Sequence, residues 1–405
     1  MYSLSFKRKR SWSHSINVSF KENPNKIHKI TCHRSSPHRP GTRTMQAFVD
    51  AVRNGNIESL RKLIADGVSR ECRDPESGCT VLIWAATNSE MGCLQLLIDA
   101  KAYLEERDNG GITALMWAAI NGHSDCVELL VSAKADLDAQ DGVDKTALIW
   151  ATALGETECV RLLVAARAPL ETIDNRGRSA LMWAAENGRM DCLQLLLDSK
   201  AEIDRKDNGG CTALMNAVRN GKAKCAQLLL DAKADLEARD KGAKTPLMWA
   251  ASLAELECVQ LLVSAKADLE TSDNERKSIL IWAAANGNTD CVQLLLDSKA
   301  YLESKDDGGK TALMWAALNR QTETVQLLIT LKANINAKDT TFGETALMWA
   351  AQNSDVACAQ LLITAKADLE VTDSGKLTAL MWAAANGNTE CVQLLLDTRA
   401  HFGSV

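Results

Sequence analysis

Tryptophan recurs at Trp84, Trp117, Trp150 and Trp183, and again at Trp249, Trp282, Trp315, Trp349 and Trp382, each inside a Leu-(Met/Ile)-Trp-Ala core. The interval is 33 residues, apart from one skipped register after Trp183 and one step of 34 residues before Trp349. A period of this length demands small units stacked in a row, each burying its apolar face against its neighbours. Function must then come from a repeated surface, because no single unit carries a lone chemical site.

The chain has 405 residues, 46% of them apolar, enough for an extensive buried core. It contains no uninterrupted apolar stretch of the length a membrane-spanning helix needs. Charge divides it in two. Residues 1–44 hold ten Lys or Arg, four His and a single acid, Glu22, whereas residues 45–405 hold 36 basic and 51 acidic side chains. An acidic body repels phosphate backbones, so duplex binding by the repeat surface is disfavoured, while the basic tail attracts them.

One unit reads clearly from Ser179 to Asp207. Ser179 is placed to cap a helix, Leu181, Met182 and Ala185 follow at helical spacing, and Gly188 ends the run. A second helix follows, with Cys192, Leu195 and Leu196 at i, i+3 and i+4 and with Leu193 and Leu197 widening its apolar face. Ala201-Glu202-Ile203-Asp204 reads as an extended exit, and Asp207-Asn208-Gly209-Gly210 as a turn before the next cap, Thr212. The same cap position is filled by Thr80, Thr113, Thr146, Thr245, Ser278, Thr311, Thr345 and Thr378. Pro246 after Thr245 fixes that boundary, since a first helical residue needs no amide. The extra residue within Asp339–Glu344 falls in a turn and is expected to lengthen the loop without breaking the stack.

Gly111-Ile112-Thr113-Ala114-Leu115-Met116-Trp117-Ala118-Ala119-Ile120-Asn121-Gly122, followed by Asp125-Cys126-Val127-Glu128-Leu129-Leu130, resembles the ankyrin-repeat signature, with Ala in place of its Pro and Met in place of its His. The resemblance covers residues 45–400 and implies an all-α ankyrin-repeat solenoid of eleven repeats with short hairpin-like turns. It divides the chain into a basic flexible tail over 1–44, a candidate targeting segment, then the repeats, then a C-terminal tail over 401–405. The first unit places Asp50 where later units place Trp, as suits an end cap. The last unit, Thr378 to Ala400, is almost an internal repeat. Its outer face is expected to be covered by a partner or by the final residues, or else to fray.

By the same resemblance the Trp position lies on the first helix of each pair and turns toward the concave surface that commonly contacts partner proteins. Two readings stand: rigid aromatic contacts for a partner, or rings lying across the neighbouring Ala-Ala segment and serving stability. Asn216 interrupts the series. It is either a polar notch suited to an acidic contact near Arg219 and Lys222, or neutral drift. The candidate partner-binding set is therefore Trp84, Trp117, Trp150, Trp183, Asn216, Trp249, Trp282, Trp315, Trp349 and Trp382.

Cys93, Cys126, Cys159, Cys192, Cys225, Cys258, Cys291, Cys358 and Cys391 share the repeat register, with Thr324 at the equivalent place in one unit. Equivalent positions in stacked ankyrin units stand too far apart for a disulfide, whose Cα separation must be below about 7 Å. They read as small buried groups, which suits a reducing compartment. Where ankyrin units usually end the second helix with Gly, this chain has Lys101, Lys134, Arg167, Lys200, Lys233, Lys266, Lys299, Lys332, Lys366 and Arg399, and only Gly67 is retained. A left-handed terminus costs a non-Gly residue roughly 1 kcal/mol, partly offset by a cation near the negative helix end; the alternative is a different turn. Acids such as Asp235, Glu237, Asp268 and Glu270 follow closely, so these cations read as a solvated edge.

No catalytic constellation emerges. Only His123 and His401 lie outside the tail, and Gly308-Gly309-Lys310-Thr311 lacks the spaced glycines of a phosphate-binding loop. No enzyme activity, cofactor or metal is expected. The sequence points to a non-catalytic protein-binding scaffold or adaptor using the concave surface, with one or more proteins as partners. The competing classes are a structural subunit of a larger assembly, and nucleic-acid or anionic-membrane association through Lys7, Arg8, Lys9 and Arg10. That cluster reads as a nuclear-import signal, a phosphate-binding patch or part of an organelle-targeting extension, unless Met45 is the start of translation. The expected location is intracellular and reducing, cytoplasmic first, with nuclear or organellar alternatives.

Overall fold

The computed structural model describes residues 40–402, which form eleven consecutive helix pairs, 22 helices in all. Internal first helices have seven or eight residues, as in Ala114–Ile120 and Ala180–Asn187, and the second helices have nine, as in Ser124–Ser132. Helices this short are marginal in water, so stacking supplies what local hydrogen bonding cannot. Ala114–Ile120 packs between Val81–Thr87 and Ala147–Leu154, its counterparts in the flanking units, and Ser124–Ser132 packs in the same way between Met91–Asp99 and Thr157–Ala165. One apolar core runs the length of the described chain, from Phe48 to Leu395. The opening helix, Pro40–Arg53, starts five residues ahead of the expected boundary at Met45, with Pro40 at its first position, where the missing amide is tolerated.

The cap residues account for the sharp start of each first helix. Thr80, Thr113, Thr146, Thr212, Thr245, Ser278, Thr311, Thr345 and Thr378 each accept the amide of the third helical residue on the side-chain hydroxyl. Ser179 is the exception. It has the same extended backbone, yet its buried Oγ makes no capping bond.

Successive units are sewn together at both ends of the helices. At the hairpin tips, each unit's amide donates to a carbonyl of the unit before, as in Gly142 N to Gly110 O, Lys241 N to Gly209 O and Ser374 N to Phe342 O. Glycine is required where the tips approach most closely: a Cβ on Gly210, at φ +82°, would stand 2.8 Å from Lys241 N. At the opposite end the segment after the second helix is not the extended exit expected, because Ala201 and Glu202 lead into a turn at Ile203 and Asp204. The acids there are structural. Glu171, Asp204, Glu237 and Glu270 each accept a backbone amide of the next unit, from Glu202, Asp235, Asp268 and Tyr301.

The cations that replace glycine do adopt the left-handed conformation, with φ between 61° and 78° at Lys101, Lys134, Arg167, Lys200, Lys233, Lys266, Lys299, Lys332 and Lys366. Arg399 does not, because the last helix, Thr389–Phe402, runs through it. Nine residues are thus held in a backbone region that L side chains enter at a cost. Replacing Lys233 by Gly is expected to stabilise the chain by about 0.5–1 kcal/mol, measured as a shift of the urea unfolding midpoint. A loss of stability would mean that the charge at the helix end outweighs the backbone strain.

Candidate protein-binding groove

An aspartate at the mouth of each hairpin organises the surface above the first helices. Asp141 Oδ1 accepts the amides of Val143 and Lys145, both at 2.9 Å, which closes the turn, and Oδ2 accepts Trp150 Nε1 at 2.8 Å. The arrangement repeats wherever the aspartate lies nine residues before the tryptophan: Asp108 with Trp117, Asp174 with Trp183, Asp240 with Trp249, Asp273 with Trp282, Asp306 with Trp315 and Asp373 with Trp382, at 2.9–3.1 Å. A carboxylate shared by two amides and an indole has both of its oxygens engaged, and hydrogen bonds to a charged acceptor are the stronger kind.

The two tryptophans outside this set explain themselves. Ahead of Trp84 the hairpin aspartate is Asp74, and ahead of Trp349 it is Asp339; each is ten residues back because its turn holds one extra residue. Asp339 Oδ1 now gathers the amides of Phe342, Gly343 and Glu344 while its Oδ2 faces Lys310 Nζ at 3.5 Å, and Trp84 Nε1 and Trp349 Nε1 are buried without a hydrogen-bond partner. The stack survives the insertion, as expected, because Ala346–Gln352 still packs on both neighbouring first helices. The indole bond does not survive it.

Cations fill the spaces between rings. The residue just before the cap is Lys145, Arg178, Lys244, Lys277 or Lys310 in five units. Lys145 Nζ lies 3.8 Å from the Trp150 ring centroid and 4.1 Å from that of Trp183, and Lys244 and Lys277 likewise each reach their own ring and the next. Each such contact is worth about 0.5–2 kcal/mol, depending on how far water is excluded. Arg178 stacks on Trp183 while pairing with Asp174 and Glu186 at 3.0 and 2.8 Å. Burial first, then the Arg178 charge, push the Lys145 ammonium down to about 8, against the pull of Asp141, Asp174 and Glu186.

This geometry places the expected binding residues. Trp84 and Trp117 are 7% and 5% exposed and offer a partner almost no surface. Trp150, Trp183, Trp249, Trp282, Trp315, Trp349 and Trp382 are half-buried against the core. Asn216 is no open notch. It is 5% exposed, and its Nδ2 is buried without a hydrogen-bond partner. Around it opens a groove of 1080 Å³, walled by the hairpin tips on one side and by the first helices on the other, with Arg219, Trp249, Leu253 and Trp282 among its lining. Lys222, expected beside Asn216, does not line the groove. Lys7, Arg8, Lys9 and Arg10 lie outside the described residues, as does the C-terminal tail beyond Phe402.

The remaining candidates are structural. The register cysteines are buried and form no disulfide, and burial, with neighbouring acids, pushes the Cys159 thiol up to about 12. Thr324 takes the same buried place and exchanges a hydrogen bond with Thr289 at 2.9 Å. His123 Nε2 contacts the Thr87 carbonyl at 3.1 Å. Among the described residues no group of three His, Cys, Asp or Glu side chains is arranged to hold a metal, and no helix is long and apolar enough to cross a membrane.

The paired helices, hairpin tips and capped Thr-x-Leu starts are those of a known repeat, and a family model described as Ankyrin repeats (3 copies) matches residues 48–141, 136–207, 201–273, 266–339 and 331–404. The chain belongs to the ankyrin-repeat family. None of the curated proteins matches it. Within the ankyrin pattern, the Asp–Trp bond and the cation before the cap in five units are the features sequence reading missed. The signal was present as a nine-residue spacing repeated in seven units.

Two outcomes test this chemistry. Deleting Thr341 restores the nine-residue spacing in front of Trp349 and is expected to add about 1–2 kcal/mol of stability; Trp349→Phe, which has no N–H, should abolish that gain. Lys145 titrates near 8 in the folded chain against an ordinary value of 10.5, so between these values the unfolded chain binds more protons and this group's contribution to stability rises with pH. Urea unfolding at about pH 7.5 and about pH 9.5 should show that rise in the parent relative to Lys145→Met. The difference isolates Lys145 from the thiols, whose raised values act in the opposite sense.

Proposed function

We propose that the chain is a non-catalytic scaffold or adaptor that binds a protein segment in the groove between the hairpin tips and the first helices. Ankyrin repeats generally mediate protein–protein interactions. What carries the reading for this chain is the open groove at mid-array, whose walls are fixed before any partner arrives. Tip-to-tip amide bonds hold one side, and the bonded indoles and their cations hold the other. Pre-organisation of this kind lowers the entropic cost of association. The half-buried Trp249 and Trp282 line this groove, and side chains such as Leu253, 46% exposed, supply apolar contact.

A second reading, a structural subunit of a larger assembly, is favoured by one observation. Met381 in the last unit is 49% exposed, whereas its counterpart Met348 is 1% exposed. Association through the basic tail is a third reading, and it rests on the charge of residues 7–10 alone. Affinity capture from native cells with the full chain, Leu253→Arg, Met381→Glu and a deletion of residues 2–39 separates them. The groove reading expects partners to be lost with Leu253→Arg only. Loss confined to Met381→Glu would favour the assembly subunit, and loss confined to the deletion would favour the tail.

A further inference from the structure

Between Lys145 and Lys310 the alternation of ring and cation fails in one unit only, where Asn216 stands for the tryptophan and Cys211 for the cation. Arg219, one turn further along the same helix, swings in to cover the break. Its guanidinium carbon lies 4.3 Å from the Trp249 centroid, and Nη1 donates to Cys211 Sγ at 3.5 Å. Thiol sulfur is a weak acceptor. Among the described residues Arg219 makes no ion pair, in contrast to Arg178, which holds two carboxylates. The other neighbour of the Trp249 ring is Lys244, also without an ion pair, its Nζ 4.5 Å from the centroid. Two cations, neither in an ion pair among the described residues, thus flank one indole at the floor of the groove, with Asp273 and Asp240 acting on Lys244 from beyond ion-pair distance. Beside them Asn216 Nδ2 is a buried donor with nothing to donate to. Leaving such a group unsatisfied is costly, and an arriving acceptor recovers that cost.

We propose that this break is a docking subsite for a carboxylate side chain, Asp or Glu, carried by the protein segment that lies in the groove. The carboxylate accepts from the Arg219 guanidinium, drawing it off the Cys211 thiol, and from Asn216 Nδ2, which that movement uncovers. Lys244 adds charge complementarity from the far side of Trp249. The indoles on either side, Trp183, Trp249 and Trp282, are already bonded to their own aspartates and leave no such unused donor, so the subsite sets the register of the segment bound in this groove. The inference rests on the groove being the protein-binding surface.

The test uses the full chain as bait for a random dodecapeptide display library, followed by titration of the selected synthetic peptides. The expected result is a recurrent Asp or Glu whose replacement by Asn or Gln weakens binding about tenfold or more, the scale of a hydrogen-bonded charge. Asn216→Trp and Arg219→Gln, each confirmed folded by circular dichroism, should weaken the acidic peptide equally and leave its amide version unchanged. Peptides that lose affinity with Leu253→Arg but show neither an acidic requirement nor sensitivity at Asn216 and Arg219 would overturn the subsite and leave the groove standing. Peptides indifferent to Leu253→Arg would overturn both. A single-stranded oligonucleotide that binds with sensitivity to Arg219→Gln, where acidic peptides do not bind, would equally overturn the assignment.

Discussion

The hairpin aspartate is the bond on which the rest of this ankyrin array depends. One of its oxygens closes the turn by accepting two amides, and the other reaches the next helix to accept an indole N–H. Turn geometry and ring orientation are thereby set by a single side chain. Where Lys145, Lys244 or Lys277 stands in front of the cap, the oriented ring offers its face to that cation, which also reaches the following ring. Order passes from unit to unit through chemistry that is local in each. This suits an array whose stability is a sum of nearest-neighbour terms.

Much of the architecture was legible in the sequence. The 33-residue period, the Thr and Ser caps and the burial of Cys93 to Cys391 were readable, because each depends on local backbone geometry or on a helical face, while the lysine termini stood open between a left-handed residue and a different turn. Asn216 was legible as an anomaly, a notch or neutral drift, but a sequence does not say which neighbour covers the place of a lost ring. Arg219, three residues along the same helix, does so. Ser179 marks the other limit, for it occupies the cap position without making the bond. The Asp–Trp pairing joins two segments whose relation is fixed only by the fold, so hydrophobic periodicity could not reveal it.

The tryptophans illustrate how a repeated surface residue can be structural and still shape recognition. In Trp150, Trp183, Trp249 and Trp282 the N–H is spent on an aspartate and the face on a cation, so much of the area that would make them binding anchors is already used. What they give a partner is a stiff, evenly spaced floor with fixed charge. Specificity on such a floor has to come from its irregularities: the long hairpin at Asp339–Glu344, the exposed tips at Val143 and Phe342, and the break at Asn216.

The cysteine register carries a further consequence. Nine of the eleven units hide one thiol at the same depth, at the start of the second helix, while the first unit and the one with Thr324 are silent. A linear array loses its end units first, because each of these has a neighbour on one side only. Thiols in such an array would become reactive in spatial order, Cys391 before Cys358, with a gap at Thr324 before Cys291. The molecule thus carries its own ruler for how far an end has unzipped, graduated in whole repeats.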